Sequence, residues 1–161
     1  MIKLNKILSC DTKKCTGCGI CELACSEEKE RVYNPRKSRV KVIKLGLNTQ
    51  LHMASVCRFC EDPACVRSCP RDALNQSDEG GIIIVDEEKC NGCGWCIEAC
   101  KFGAITFDHD KKAVIVCDLC QDKINPQCII SCPFEALVLV TLTELAQKSR
   151  FSVTKSLFKE S

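Results

Sequence analysis

The sequence predicts an α+β fold of two pseudo-symmetric modules, each assembled from short strands and short helices. Three observations lead to this prediction. Of the 17 cysteines, 16 fall into four groups of four with a shared spacing. Strand-like segments recur after these groups, which indicates an internal repeat. Aromatic residues make up only 5% of the chain, so we expect much of the interior to be inorganic.

Every cysteine group begins with C-x2-C and ends with C-x3-C. The members are Cys15, Cys18, Cys21 and Cys25; Cys57, Cys60, Cys65 and Cys69; Cys90, Cys93, Cys96 and Cys100; and Cys117, Cys120, Cys128 and Cys132. This is the ligand spacing of bacterial ferredoxins, in which a loop supplies three thiolates and the fourth cysteine reaches a second cluster. We therefore expect these cysteines to bind the iron of four [4Fe–4S] clusters, and the protein to carry electrons.

The residues between the thiols suit a loop wrapped around a cluster. Glycine separates the thiols of groups one and three, at Gly17, Gly19, Gly92 and Gly94. Glycine adopts positive φ at low cost and lets the backbone approach inorganic sulfide closely. Its N–H groups then stabilise the negative charge of the cluster. Pro70 and Pro133 follow the last cysteine of groups two and four and turn the chain away, because proline cannot continue a helix.

Three other chemistries compete with this interpretation. Disulfides are typical of small secreted chains rich in cysteine, but the N-terminal residues lack the pattern of a secretory leader. Structural zinc uses pairs of C-x2-C separated by a longer loop, a pattern that groups two and four match on their own and groups one and three do not. A catalytic cluster with an open iron requires a triplet without its fourth cysteine, and every triplet here has one.

The formal net charge of +2 counts each cysteine as neutral. An oxidised cubane with four thiolates carries roughly −2, so four clusters contribute about −8 and bring the total near −6. Seven basic residues are concentrated in one stretch: Lys29, Arg31, Arg36, Lys37, Arg39, Lys41 and Lys44. They form either a docking surface for an acidic partner or, as we favour, a solvated face that offsets the cluster charge. Only Tyr33 is an aromatic residue among them, so we expect no nucleic-acid binding.

Several absences in the sequence narrow the expected function. No apolar run approaches the length of a membrane span, so we expect no membrane insertion and a cytoplasmic location, in an anaerobic host because many cubanes are oxygen-sensitive. No paired carboxylates indicate acid–base catalysis, and His52 and His109 are isolated, so no catalytic residue is predicted. Cys10 is left over without a predicted role. Since metal binding would supply much of the folding free energy, we expect the iron-free chain to be unfolded or molten.

Apolar patterning predicts the individual elements. Residues 103–107 and 113–116 predict a β-hairpin, and 82–85 and 134–137 predict further strand segments. A short helix is expected between the third and fourth cysteine of each group. Residues 32–56 interrupt the repeat, and we interpret them as an added hairpin that turns at Gly46–Asn48 with basic residues on its outer face. The tail begins as a helix at Leu142, Leu145 and Ala146, and then becomes polar.

Taken together, the four cysteine groups make the chain resemble the four-cluster ferredoxin-like electron-transfer subunits. These include the β subunits of the dimethyl sulfoxide reductase family, the ferredoxin-like partner of carbon monoxide dehydrogenase and the small subunit of tungsten aldehyde oxidoreductase. The resemblance covers residues 10–140 and is most distinctive in group two, where Glu61, Asp62 and Pro63 lie inside C-x2-C-x4-C-x3-C-P. The chain lacks long insertions, which favours the compact members.

The resemblance implies nested sharing of clusters, group one with group four and group two with group three. The implied ligand sets are Cys15, Cys18, Cys21 and Cys132; Cys25, Cys117, Cys120 and Cys128; Cys57, Cys60, Cys65 and Cys100; and Cys69, Cys90, Cys93 and Cys96. Residues 1–31 and 113–140 then form an outer bacterial-ferredoxin-like module and residues 57–112 an inner one. Residues 32–56 form the inserted hairpin, and 141–161 form a C-terminal docking tail that packs over the clusters or reaches a partner.

The implied function is a non-catalytic relay. Electrons pass through four [4Fe–4S] clusters between a large catalytic oxidoreductase subunit and a second redox protein. The catalytic subunit implied is a tungsten or molybdenum aldehyde oxidoreductase, or carbon monoxide dehydrogenase. Low reduction potentials are expected because every ligand is a cysteine. The alternative is a free, diffusible polyferredoxin.

Overall fold

The computed structural model describes residues 6–46, 51–78 and 80–158. Within these residues, eight short strands and five α-helices follow one another. In order, they are β1 (Lys6–Cys10), α1 (Ile20–Glu30), β2 (Lys41–Leu45), β3 (Leu51–Ser55), α2 (Ala64–Arg67), β4 (Leu74–Gln76), β5 (Ile83–Val85), α3 (Trp95–Ala99), β6 (Ile105–Asp108), β7 (Ala113–Val116), α4 (Gln127–Ile130), β8 (Leu137–Thr141) and α5 (Leu142–Leu157). This mixture confirms the predicted α+β class.

The strands form four antiparallel pairs. Strands β2 and β3, β4 and β5, and β6 and β7 are neighbours along the chain. The fourth pair joins distant segments, because β1 pairs with β8 from Lys6 opposite Thr141 to Cys10 opposite Leu137. Helix α1 packs against α4, and α2 packs against α3. The chain therefore brings its first and fourth cysteine groups together, and likewise its second and third.

Most predicted hairpins are present. Strands β6 and β7 form the hairpin predicted after group three, although β6 begins at Ile105 and not at residue 103. Strand β5 covers most of the strand predicted at 82–85. Strands β2 and β3 form the hairpin predicted within 32–56; of its predicted turn, Leu47 and Asn48 lie outside the described residues. The strand expected at 134–137 begins only at Leu137, because residues 133–136 turn the chain after Cys132. Strands β1 and β4 had no sequence prediction.

Helix α1 is longer than the short helices expected inside each cysteine group. It has 11 residues, whereas α2 and α4 have four and α3 has five. Proline follows the last cysteine in groups two and four, but group one continues with Ser26 and then with glutamate and lysine, which favour helix. Helix α1 ends where Arg31 adopts a left-handed backbone with φ 55°. Cys25 therefore lies within a helix rather than at its end.

Aliphatic side chains and cysteines share one core. Its most deeply buried aliphatic side chains are Leu8, Val40, Val56, Leu74 and Val114. The buried cysteines of that core are Cys21, Cys25, Cys57, Cys96, Cys117 and Cys128. The thiols therefore lie inside the packed interior, where water is scarce and a thiolate has few solvent partners.

Helix α5 lies outside this core. It begins with a capping box, in which the Thr141 hydroxyl accepts from the main-chain N–H of Glu144 and the Glu144 carboxylate accepts from that of Thr141. Leu145 packs against the core, while Leu142, Phe151 and the end of the helix remain exposed. Among the described residues, none of the helices has the length and apolar character needed to cross a bilayer.

Candidate metal centres

Quartet A comprises the cysteines Cys15, Cys18, Cys21 and Cys132. They line one cavity, together with apolar neighbours such as Val42, Ala54 and Leu137. Burial raises the pKa of Cys21 to about 12, and the charges of Glu22, Cys18 and Cys132 add to the rise. Three cysteines of group one thus meet one cysteine of group four.

Quartet B comprises Cys25, Cys117, Cys120 and Cys128, which line a second cavity. All four cysteines are buried. Desolvation raises the pKa of Cys117 well above its ordinary value and that of Cys128 to about 12. Quartet B completes the exchange between groups one and four, because Cys25 joins the three thiols of group four.

Quartets C and D exchange cysteines between groups two and three. Quartet C is Cys57, Cys60, Cys65 and Cys100, and quartet D is Cys69, Cys90, Cys93 and Cys96. Burial raises the pKa of Cys57 to about 11, with further increases from its neighbours Cys65, Cys100 and Cys60. Burial likewise raises the pKa of Cys96 to about 11, with contributions from Cys90, Cys69 and Cys93. The structure thus brings all 16 predicted cysteines together in the four sets implied by the resemblance.

The quartets differ in how close they lie to the surface. Cys18 in quartet A and Cys93 in quartet D are exposed. Each is the middle thiol of a loop with C-x2-C-x2-C spacing, and the third thiol of each loop, Cys21 or Cys96, is buried. Quartet B, in contrast, is buried throughout. Quartets A and D therefore each present one thiol to solvent.

A main-chain N–H group donates to the fourth cysteine of each group. In groups two, three and four the donor is an alanine four residues later: Ala73 to Cys69 at 3.3 Å, Ala104 to Cys100 at 3.4 Å, and Ala136 to Cys132 at 3.4 Å. The sequence carries this signal as C-x3-A after the fourth thiol. In group one the helix continues past Cys25, so no N–H four residues later donates to this thiol. The main-chain N–H of Arg39 donates to Cys25 at 3.3 Å instead. These bonds stabilise thiolate charge.

At two glycines the cysteine loops leave no room for a side chain. Gly17 has φ +70°, and a Cβ there would lie 2.8 Å from Cγ of His52. Gly92 also has φ +70°, and its Cβ would lie 2.7 Å from Cε2 of Phe107. An aromatic ring therefore packs against the corresponding glycine of each loop, His52 against Gly17 and Phe107 against Gly92. The backbone conformation and the tight packing both require glycine at these positions.

Arg39 lies beside quartet B and is one of the residues that line its cavity, and its side chain is only 15% exposed. The main-chain N–H of Arg39 donates to Cys25, and Nη2 donates to Glu30 at 3.1 Å. Nη1 is buried and has no hydrogen-bond partner among the described residues. Four buried thiols with a main-chain N–H donor are the groups that a cubane requires, so the residues around quartet B fit a [4Fe–4S] cluster.

The thiol positions do not indicate a site for one metal ion. Across 6–46, 51–78 and 80–158, no three Cys, His, Asp or Glu side chains are placed to hold a single ion. A cubane distributes four thiolates over four irons, so its ligands need not converge on one point.

Cys10, the seventeenth cysteine, lies beside quartet A. The main-chain N–H of Ala54 donates to its Sγ at 3.4 Å, and its pairing partner in β8 is Leu137, which lines the cavity. Burial raises the pKa of Cys10 to about 11, and the neighbouring Cys15 adds to the rise. Cys10 is therefore a neutral thiol next to a thiol of quartet A.

Most of the seven basic residues from Lys29 to Lys44 form salt bridges with carboxylates of the same chain. Lys29 contacts Asp118 at 2.7 Å, Lys37 contacts Asp110 at 2.6 Å, and Arg39 contacts Glu30. The first two pairs connect the segment between groups one and two to residues near group four, whereas Arg39 and Glu30 belong to the same segment. They favour the interpretation of this stretch as a face that offsets internal charge, since these cations are already engaged by carboxylates.

The chain is similar to known proteins over most of its length. Residues 49–142 match the family model described as "4Fe-4S dicluster domain". The B subunit of anaerobic dimethyl sulfoxide reductase from Escherichia coli is 34% identical over 153 residues, covering 86% of this chain and 74% of that protein. The polyferredoxin-like subunit of aliphatic sulfonate oxidoreductase from Pyrococcus furiosus is 38% identical over 133 residues, covering 80% and 73%. These relatives confirm the resemblance inferred from the cysteine groups.

A solved structure shares the fold. One chain of the active site complex BamBC of benzoyl coenzyme A reductase superposes with a TM-score of 0.51 at 21% identity, covering 96% of both chains. At this identity the likeness concerns the fold alone. It supports the arrangement of short antiparallel pairs and short helices described above.

Proposed function

Because the chain belongs to the 4Fe–4S dicluster domain family, we propose that this iron–sulfur electron-transfer subunit performs no bond chemistry of its own and serves a large catalytic oxidoreductase subunit. Its cofactors are four [4Fe–4S] clusters. The observation that carries the proposal is the collection of 16 cysteines into four quartets within 161 residues. A chain this small has most of its interior committed to holding clusters.

In this proposal each quartet holds one cluster, and each cluster accepts and returns one electron at a time. The residues of the chain provide the surroundings. Main-chain N–H groups donate to the thiolates of Cys25, Cys69, Cys100 and Cys132, which stabilises their negative charge. The aliphatic core excludes water from quartet B. Exposed thiols mark the two quartets where electrons enter and leave, A through Cys18 and D through Cys93.

We also propose the two-module organisation. Residues 1–31 and 113–140 form the outer module, 57–112 the inner module, and 32–56 an inserted hairpin. The pairing of β1 with β8 and the packing of α1 on α4 support the outer module. The packing of α2 on α3 supports the inner one. The boundary after residue 112 lies within the β6–β7 hairpin, so this hairpin connects the two modules.

The catalytic partner in this proposal binds through the tail, 141–161. Helix α5 exposes Leu142, Val153 and Leu157, together with the cations of Lys148 and Lys155 nearby. An exposed apolar surface of this kind is typical of an interaction site. The partner is a tungsten or molybdenum aldehyde oxidoreductase or carbon monoxide dehydrogenase, and a second redox protein receives or donates the electrons. We expect the complex in the cytoplasm of an anaerobic organism.

The proposal is tested by anaerobic native purification followed by elemental analysis of the large subunit that co-purifies. Tungsten or molybdenum in that subunit would identify an aldehyde oxidoreductase type of partner, and nickel would identify carbon monoxide dehydrogenase. Recovery of a lone brown protein of 17.9 kDa that contains iron and no partner would refute the subunit proposal in favour of a free polyferredoxin.

A further inference from the structure

We infer that the large catalytic subunit docks over quartet A, and that the face with which it docks is apolar at its centre and acidic at its rim. On this chain the docking site, the A surface, consists of apolar side chains around one exposed thiol: Cys18, Ile20, Ile43, Leu45, Leu51 and Phe134. The inference rests on the proposed function, since it gives the same catalytic partner a second region of contact besides helix α5.

Two exposed apolar side chains lie at the mouth of the cavity of quartet A. Ile20 and Phe134 both line that cavity, and 39% and 47% of their surfaces are exposed. Cys18 lines the same cavity and is exposed as well. Apolar groups therefore border the thiol that quartet A presents to solvent. This is the composition of the centre of a protein–protein interface, which is apolar and poor in charge.

The hairpin of β2 and β3 extends this apolar region. Its inner face supplies Val42 and Ala54 to the wall of the same cavity. Because side chains alternate between the two faces of a strand, Ile43 and Leu45 lie on the outer face, and Leu51 joins them because it is paired with Leu45. All three are exposed. The outer face of the hairpin is therefore largely aliphatic, where the sequence predicted basic residues, and such an exposed patch is typical of an interaction site.

Lysines at the edge of the A surface favour an acidic partner. Lys13 and Lys14 directly precede the first thiol of group one, and Lys44 lies opposite His52, whose ring packs against the loop of that group. All three lysines are exposed, and none takes part in a salt bridge among the described residues. The carboxylate of Asp11 accepts from the main-chain N–H of Lys13. A holoprotein with a total charge of about −6 repels acidic proteins in general, so such a partner needs a local cationic rim.

The corresponding positions at quartet D carry a different charge. The two residues before its first thiol are Glu88 and Lys89, and Lys89 is paired with Asp86 at 3.1 Å. The exposed Arg71 lies nearby, since its Nε donates to the main-chain oxygen of Lys89. One cation therefore faces one unpaired carboxylate there, whereas two unpaired lysines precede the first thiol of quartet A. Complementary charge favours a partner and like charge disfavours it, so an acidic face distinguishes quartet A from quartet D.

The A surface lies close to the proposed docking helix. Leu137 lines the cavity of quartet A at the start of β8, and Thr141 at the end of β8 is the N-cap of α5. Four residues of strand span roughly 13 Å. One side of a standard interface buries about 800 Å², which is a patch roughly 30 Å across. A single partner can therefore contact the start of α5 and cover quartet A.

The test is anaerobic rebinding of the large subunit, which is separated from the native complex and identified by its tungsten, molybdenum or nickel. Leu45→Asp with Leu51→Asp charges the outer face of the hairpin and changes no residue that lines the cavity of quartet A. Lys13→Glu with Lys14→Glu reverses the charge of the rim. We expect each pair of changes to raise the Kd of the holoprotein at least about tenfold, because an unpaired charge or a like-charge contact weakens an interface. The rim variant should also lose most of the salt dependence that the wild type shows.

Matched controls change the same residue types away from the A surface. Ile84→Asp alters an exposed apolar residue of β5. Lys101→Glu alters an exposed cation that forms no salt bridge among the described residues. Both controls should bind the large subunit as the wild type does. Lys44→Glu is a further rim variant, which leaves the loop of group one unchanged and should weaken binding.

The inference is overturned if the hairpin and rim variants bind the large subunit as tightly as the wild type, or if they retain it and lose the second redox protein instead. Weakening by the controls to the same extent would overturn it as well. Unchanged iron content in a variant shows that its loss of binding comes from the surface and not from a missing cluster. Failure of the proposed function is distinct from these outcomes, because the wild-type chain would then purify without a large subunit.

Discussion

The ammonium group of Lys29 lies 2.7 Å from Oδ2 of Asp118, although 89 positions separate these residues in the chain. Lys29 is in the last turn of α1, directly after group one, and Asp118 follows the first cysteine of group four. The ion pair therefore joins the two segments that contribute thiols to quartets A and B. The Lys29 side chain is 13% exposed and that of Asp118 37%, so solvent screens this pair only partly.

Replacing Lys29 by methionine should destabilise the holoprotein by about 1 kcal/mol, since the pair is partly exposed and such pairs are worth little more than this. Methionine keeps the apolar stem and removes only the charge. Arg31→Met is the matched control, because it breaks the exposed pair with Glu27 and should cost no more than ~0.5 kcal/mol. Anaerobic thermal unfolding measures both, and equal melting temperatures for the two variants would contradict the prediction.

Removing one thiol from quartet A or D should remove one cluster. We expect Cys18→Ala and Cys93→Ala each to lose about four iron atoms per chain, or to misfold, because each cubane needs its full set of thiolates. Cys10→Ala should keep all the iron, since Cys10 is a neutral thiol outside the quartets. Iron and acid-labile sulfide analysis checks this. Unchanged iron in the Cys18 or Cys93 variant would reject the ligand assignment.

The loop under Phe107 should tolerate alanine at Gly94 better than at Gly92. Both glycines have positive φ, and forcing alanine into that conformation costs about 1–2 kcal/mol. Only Gly92→Ala adds a collision, at 2.7 Å from Phe107, whereas a Cβ at Gly94 meets nothing within 4 Å. Denaturation midpoints of the holoprotein should therefore fall further for Gly92→Ala. Adding Phe107→Leu to Gly92→Ala should recover part of the loss, and strict additivity of the two changes would contradict this explanation.

Cluster assembly should become more favourable as the pH rises. A free cysteine thiol has a pKa of about 8.5, and in the folded chain burial raises the pKa of Cys128 to about 12 and that of Cys57 to about 11. These thiols are therefore neutral near pH 7 whether the iron-free chain is unfolded or folded. A cluster binds thiolates, and assembly must therefore release protons. Raising the pH from about 6.5 to about 8.5 should increase the yield of anaerobic reconstitution, followed by visible absorbance. A yield that is constant or falls with pH would contradict the sign of this linkage.

Shortening the chain after Thr141 should abolish binding of the catalytic partner while leaving the clusters in place. Leu145 of helix α5 packs against the core, but the remaining apolar side chains of the helix are largely exposed. A milder variant, Val153→Asp with Leu157→Asp, keeps Leu145 and tests the exposed surface alone. Lys148→Gln serves as a control on charge. Co-purification measures partner binding, and full binding by the aspartate variant would exclude this surface as the docking site.

Sequence patterns predicted the parts of the molecule that depend on neighbouring residues. Thiols separated by two residues lie on one loop, so their spacing alone indicates a shared cluster. The hairpin of β6 and β7 follows from apolar runs on both sides of a polar turn. In contrast, β1 had no prediction, because its partner β8 lies at the other end of the chain. The length of α1 was also missed, although the lack of a proline after Cys25 could have indicated it.

The sequence by itself determined which cysteines belong to each group, that the chain binds [4Fe–4S] clusters and that it carries electrons, because cubane ligation follows local spacing. Only the tertiary structure decided how the groups exchange their fourth thiols, which thiols reach the surface, and that the main-chain N–H of Arg39, outside every cysteine group, donates to Cys25. Those features depend on burial and on charges supplied by distant segments, since a side chain's solvation and its partners exist only once the chain has folded.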